Sequence, residues 1–129
     1  MFPVCLSLPP GTRISAPIFP GYRHFGLVTE HGLVLSCSAR AGRATEDTVD
    51  VFSSGKPWRV EPDLSDLPWW VVLSRARALA DRPYHLTNWN CETFVNASCG
   101  LPARSKQAEL TLLFVGLGAF AAFAASKTE

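Results

Sequence analysis

One thiol stands where an amphipathic run begins. In Asn88-Trp89-Asn90-Cys91-Glu92-Thr93-Phe94-Val95-Asn96, Phe94 and Val95 point one way while Glu92, Thr93 and Asn96 point another. The pattern predicts a helix that opens at Cys91, with Asn90 as its N-cap. The first turn of a helix carries unpaired backbone N–H groups and a partial positive charge, which favour a thiolate and can also hold the oxyanion of an acyl intermediate. A free cysteine is more often a small buried hydrophobe, and at an ordinary pKa of about 8.5 little of it is thiolate, so the catalytic reading requires a base. His24, among strand formers in Gly21-Tyr22-Arg23-His24-Phe25-Gly26-Leu27-Val28, is the candidate. Its competing reading is a half-buried strand histidine. Tyr22 is a candidate donor to the oxyanion beside the Cys91 backbone N–H, with a packed strand tyrosine as the plain alternative. His31 and His85 read as surface residues, and Cys37 and Cys99 as core thiols.

Three segments taken together raise the catalytic reading. Pro10-Gly11 precedes an apolar strand, Pro20 to Val28 carries the histidine, and Tyr84-His85-Leu86-Thr87-Asn88-Trp89-Asn90-Cys91-Glu92-Thr93-Phe94-Val95 carries the cysteine. Together they resemble the lecithin:retinol acyltransferase-like family, a circularly permuted branch of the papain-like NlpC superfamily. The resemblance spans roughly Pro10 to Gln107, and the Asn-Cys-Glu-x-Phe-Val core, with a tyrosine seven residues before the cysteine, is its most specific part. It implies Cys91 as nucleophile and His24 as general base. It also implies a third polar residue twelve positions after the base, often histidine, and that position holds Ser36. A serine hydroxyl orients an imidazole less firmly than a carboxylate or a second imidazole does.

The composition excludes several classes. With 129 residues, 47% hydrophobic and 18% charged, the chain fits one domain able to build its own core. A formal charge of +1 with scattered basic residues gives no case for nucleic acid. Cys5, Cys37, Cys91 and Cys99 show no Cys-x-x-Cys pair and no zinc spacing with the histidines, so neither a metal nor another cofactor is expected. The first ten residues lack a basic region and are broken by prolines, which argues against a secretion signal and for a cytoplasmic setting.

The elements that must position these residues follow from periodicity. Thr12 to Ile18 reads as a strand, and Tyr22 to Thr29 with Leu33 to Ser38 as a hairpin around Glu30-His31-Gly32. Ala39 to Asp47 reads as an exposed loop, Val49 to Phe52 as a strand, and Trp58 to Val60 as another. Asp66-Leu67-Pro68 opens a helix with Asp66 as cap, carried to Asp81 by apolar residues at helical spacing and stopped before Pro83. The expected fold class is α+β, a small antiparallel sheet packed against helices, and the resemblance implies its circularly permuted papain-like form.

Residues 1–107 form the expected catalytic domain and 108–129 a hydrophobic tail. Within the tail, Leu110 to Ala125 is sixteen residues without a charge. As a helix it would be about 24 Å long, short of the ~30 Å hydrocarbon core. A helix closing the core, a membrane-associating segment and a protein contact surface all remain open for it. The resemblance to the lipid-acting branch, whose members carry a C-terminal membrane segment, favours membrane association. It also implies an acyl lipid as substrate, with an amidase or peptidase and an inactive membrane-tethered binding module as the alternatives.

Overall fold

In the computed structural model, which describes residues 5–110, the chain begins its regular structure with β1 (Arg13–Phe19) and β2 (Tyr22–Val28), joined at Pro20-Gly21. Glu30-His31-Gly32 then leads into β3 (Val34–Ser38). This second turn is closed by Thr29, whose N–H donates to the Leu33 carbonyl at 2.9 Å and whose hydroxyl accepts from the N–H groups of His31 and Leu33. Gly32 takes φ +71°, a conformation side chains disfavour.

β4 (Arg43–Asp47) pairs with β3 along its whole length, from Val34↔Asp47 to Ser38↔Arg43. The sequence reads this segment as a loop because it is small and charged. Its side chains alternate, however: Ala44 is buried in the core while Arg43 is exposed. It is an edge strand, where charged side chains discourage pairing with another chain.

A second departure follows at once. Val49 to Phe52 forms not a strand but a short helix, α1 (Val49–Ser53). The β-branched residues favour a strand locally, but Thr48 caps the helix by accepting from the Val51 N–H, and Val49 and Phe52 are buried on one side. Ser54 ends it in the left-handed conformation at φ 54°.

β5 (Arg59–Val60) adds to the far side of β1, giving the antiparallel order β4-β3-β2-β1-β5. α2 (Trp69–Ala78) begins after Pro68, two residues later than the cap at Asp66 would have it. α3 (Cys91–Ser98) begins at the expected residue. The fold is thus α+β, a five-stranded antiparallel sheet with helices on it.

Because successive strand residues face opposite sides, the sheet has two cores. Leu27, Leu35 and Cys37 pack with Val72, Leu73 and Ala76 of α2 and with Phe94 and Val95 of α3. Ile14, Ala16, Val28 and Val34 pack with Val49 and Phe52 of α1. Each fully buried Leu, Ile or Phe contributes roughly 1.5–3 kcal/mol.

The ladder between β2 and β3 consists of Val28↔Val34 and Leu27↔Leu35. Beyond it β2 continues beside β1 as far as Tyr22, and β3 continues beside β4 as far as Ser38. The sheet therefore opens between β2 and β3. Gly26 lies at the point of parting: a Cβ there would come within 2.6 Å of Val34 Cγ1 and 2.9 Å of Phe52 Cε2.

Beyond α3 a helical segment starts at Lys106 and reaches Leu110. Ser105 caps it, its hydroxyl accepting from the Ala108 N–H at 3.1 Å, and Ala108 is buried. The remainder of the apolar run Leu110 to Ala125 lies outside the described residues. Among the described residues, no helix is long and apolar enough to cross a membrane.

Candidate active site

The gap between β2 and β3 opens into a cavity of about 490 Å³. Tyr22, His24, Ser36, Asn90 and Cys91, the five residues singled out by the sequence, all line it. They arrive from four places: Tyr22 and His24 from β2, Ser36 from β3, Asn90 from the loop before α3, and Cys91 from the first turn of α3.

The presentation of Cys91 is built locally. His85 and Trp89 bond to each other through both backbone groups, at 2.7 and 3.0 Å, and make a small closed loop. The His85 ring organises it, Nδ1 accepting from the backbone N–H groups of Thr87 and Asn88. Asn90 then caps α3, its Oδ1 accepting from the N–H groups of Glu92 and Thr93 at 3.0 Å each, while the Thr93 hydroxyl accepts from the Asn90 N–H at 2.7 Å. Two first-turn donors are thereby used. The N–H of Cys91 is left as the first-turn donor next to the thiol.

The thiol lies against the parted edge of β2, with Sγ directed to the Arg23 carbonyl at 3.9 Å. Burial pushes it up to about 11, partly opposed by the backbone N–H of Phe25. This reverses the expectation of an easily formed thiolate at a helix start. Desolvation of the charged form outweighs the helix terminus here. Cys37, which lines the same cavity, is also pushed up to about 11 by burial and by the neighbouring Cys91.

His24 stacks on Phe52, with ring centroids 4.8 Å apart and planes at 27°. Burial, aided by the positive charge of Arg40, lowers its pKa to about 4. At neutral pH the site therefore holds a neutral thiol and a neutral imidazole rather than an ion pair. Among the described residues, no hydrogen bond within 3.5 Å reaches the His24 ring or the Ser36 hydroxyl, although both line the cavity. Tyr22 also lines it and packs on Phe19 with centroids 4.5 Å apart.

Three further lining residues were given no role from the sequence. Tyr84 has its phenol pKa raised by burial, with Cys91 and Cys37 contributing, so the tyrosine seven residues before the cysteine lies in the thiols' field. Its offset in the motif was the available signal. Arg40 comes from the β3–β4 connection and pairs with Asp47 at 3.7 Å. Gln107 comes from the terminal helical segment, which no local pattern connects to β2.

Among the described residues, no group of three or more His, Cys, Asp or Glu gathers to hold a metal. No protein-family model and no curated protein matches the chain.

Proposed function

We propose that this protein is a thiol-dependent acyltransferase or acyl hydrolase that acts on an acyl lipid through a cysteine thioester, with the circularly permuted papain-like fold of the lecithin:retinol acyltransferase-like family. The observation that carries this reading is the meeting of Cys91, His24 and Ser36 at one cavity, with the cysteine on a capped helix start. The chain order, histidine strand before cysteine helix, supports the permuted form.

The mechanism starts from the neutral pair. His24 takes the thiol proton as Sγ attacks the acyl carbonyl carbon, so the thiolate forms only as the new bond does. The carbonyl oxygen becomes an oxyanion held by the Cys91 N–H, with the phenol of Tyr22 as a second donor. Collapse expels the alcohol, which takes the proton from imidazolium and leaves a thioester. Water or an acceptor amine or alcohol then attacks the thioester, giving its proton to His24. That proton returns to the departing sulfur. Ser36 shares the cavity with the imidazole without bonding to it in this structure, and it takes up the orienting bond only once substrate is bound, while Asn90 fixes the helix start.

The mouth of the cavity supports a lipid substrate. Ile18, Phe19, Val51 and Leu86 line it and are 45%, 54%, 46% and 68% exposed. Arg23, Arg40 and Lys56 are its charged lining residues, and although Arg23 and Arg40 pair with Glu61 and Asp47, no described carboxylate lines the cavity itself. Apolar wall and cations together suit an amphiphile with an acyl chain and an anionic head.

A second reading, a binding module without turnover, is favoured by the imidazole's lack of a hydrogen-bond partner among the described residues. Incubation with a phospholipid in mixed micelles, followed by mass spectrometry of the lipid products, separates the two. The proposal expects release or transfer of an acyl chain that Cys91→Ser and His24→Gln both abolish. Intact lipid with the unmodified protein favours the binding module, and cleavage confined to peptide amides favours the amidase.

A further inference from the structure

Where β2 leaves β3, its backbone loses a partner. The Leu27↔Leu35 register continued outward would set Arg23 opposite Ala39, but the strands have already parted there. An unpaired N–H and C=O inside a protein are costly.

The side chain of Gln107 stands in for the missing strand. Its Oε1 accepts from the Arg23 N–H, and its Nε2–H donates to the Arg23 carbonyl at 3.0 Å. The backbone N–H of Gln107 donates to Glu92 Oε1 at 3.2 Å, one residue beyond the nucleophile. One residue thus joins β2, at the position before His24, to α3, at the position after Cys91.

The same Arg23 carbonyl faces Cys91 Sγ at 3.9 Å. A carbonyl beside a thiol accepts from S–H and so opposes release of its proton. The Gln107 amide competes for that oxygen and weakens its hold on the thiol. Resting on the acyl-transfer reading, we infer that Gln107 is a positioning residue for the reaction: it replaces a β-ladder at Arg23, ties the strand that carries His24 to the helix that carries Cys91, and keeps the Arg23 carbonyl from locking the thiol in its protonated form.

The inference is tested by the alkylation rate of Cys91 with iodoacetamide in the full chain at pH 8, measured by peptide mass spectrometry with the exposed Cys5 as internal reference. Gln107→Met keeps the length of the side chain but removes both hydrogen bonds without adding a charge beside the thiol, and Gln107→Ala removes the bonds and the side chain. The expected result is Cys91 alkylation slowed about three- to tenfold in each variant, the range set by the loss of one hydrogen bond. A residue that only held the fold together would give the opposite sign, because loosening exposes the buried thiol and speeds its alkylation. Unchanged or faster alkylation overturns the inference. Should Gln107→Ala fail to fold, Gln107→Met gives the same reading.

In lipid turnover both variants are expected to lower kcat about tenfold with KM within about twofold. Turnover by the unmodified protein with equal kcat in the variants overturns this inference alone. Absence of turnover by the unmodified protein overturns the acyl-transfer reading, while slowed alkylation still shows Gln107 acting on the thiol.

Discussion

The β2–β3 hairpin has two ends, and they do different work. At the turn end, Leu27, Val28, Val34 and Leu35 pair across the ladder and are nearly or wholly excluded from solvent. At the other end the strands part, and the space between them is held by a histidine, a serine, a cysteine from α3 and the amide of Gln107. The paired end buries apolar surface. The parted end gives up ladder hydrogen bonds and gains a cavity whose polar groups face a common space. Apolar burial is therefore concentrated in one half of the hairpin and the candidate site in the other.

The largest way to break this contrast is at the paired end. Phe94 of α3 is fully buried in the core with Leu27 and Leu35 and meets Trp89 edge-on. Phe94→Ala is expected to cost about 3–5 kcal/mol of unfolding free energy, read by urea denaturation. A loss below about 1 kcal/mol would mean that this half of the molecule does not carry the fold.

The next effect belongs to the parted end and depends on pH. His24 titrates near 4 in the folded chain against about 6.5 unfolded, so between these values the unfolded chain binds more protons. The stability it contributes is fully present above pH 6.5 and is lost as pH falls toward 4. The gap corresponds to about 3 kcal/mol. Denaturation curves across this window should therefore fall more steeply for the unmodified protein than for His24→Gln, and parallel pH profiles would contradict the burial of the ring.

A smaller effect lies at the point of parting. Gly26→Ala pushes a methyl group into Val34 and Phe52, the latter stacked on His24. Overpacking of this kind is expected to cost about 1–3 kcal/mol, and the displaced Phe52 should raise the His24 pKa toward its ordinary value, read by NMR titration of the imidazole. An unmoved titration would show that Phe52 is not what keeps the ring dry.

Much of this arrangement was legible in the sequence because its signals are local. Alternating apolar residues around Glu30-His31-Gly32 specify the hairpin, and Asn90 before an amphipathic run specifies the start of α3. The residues at the cavity have no such local pattern linking them, since Tyr22, His24, Ser36 and Cys91 come from three different elements. What was not legible depends on distant partners. Arg43 to Asp47 looks like loop until β3 lies beside it, and Val49 to Phe52 looks like strand until its buried side and Thr48 cap override propensity. The protonation of Cys91 depends on burial by the whole fold, which a helix-start argument does not contain. Gln107 acts across 84 residues on a backbone position, and side-chain periodicity carries no trace of such a contact.

Acyl transfer through Cys91 is read from the intact mass of the protein after exposure to an acyl phospholipid in detergent. The expected product is an adduct of one acyl chain, labile to hydroxylamine as a thioester is, absent in Cys91→Ala and more abundant in Ser36→His, where a second imidazole can orient His24. No adduct in either protein that keeps Cys91, or an adduct that persists in Cys91→Ala, would contradict it.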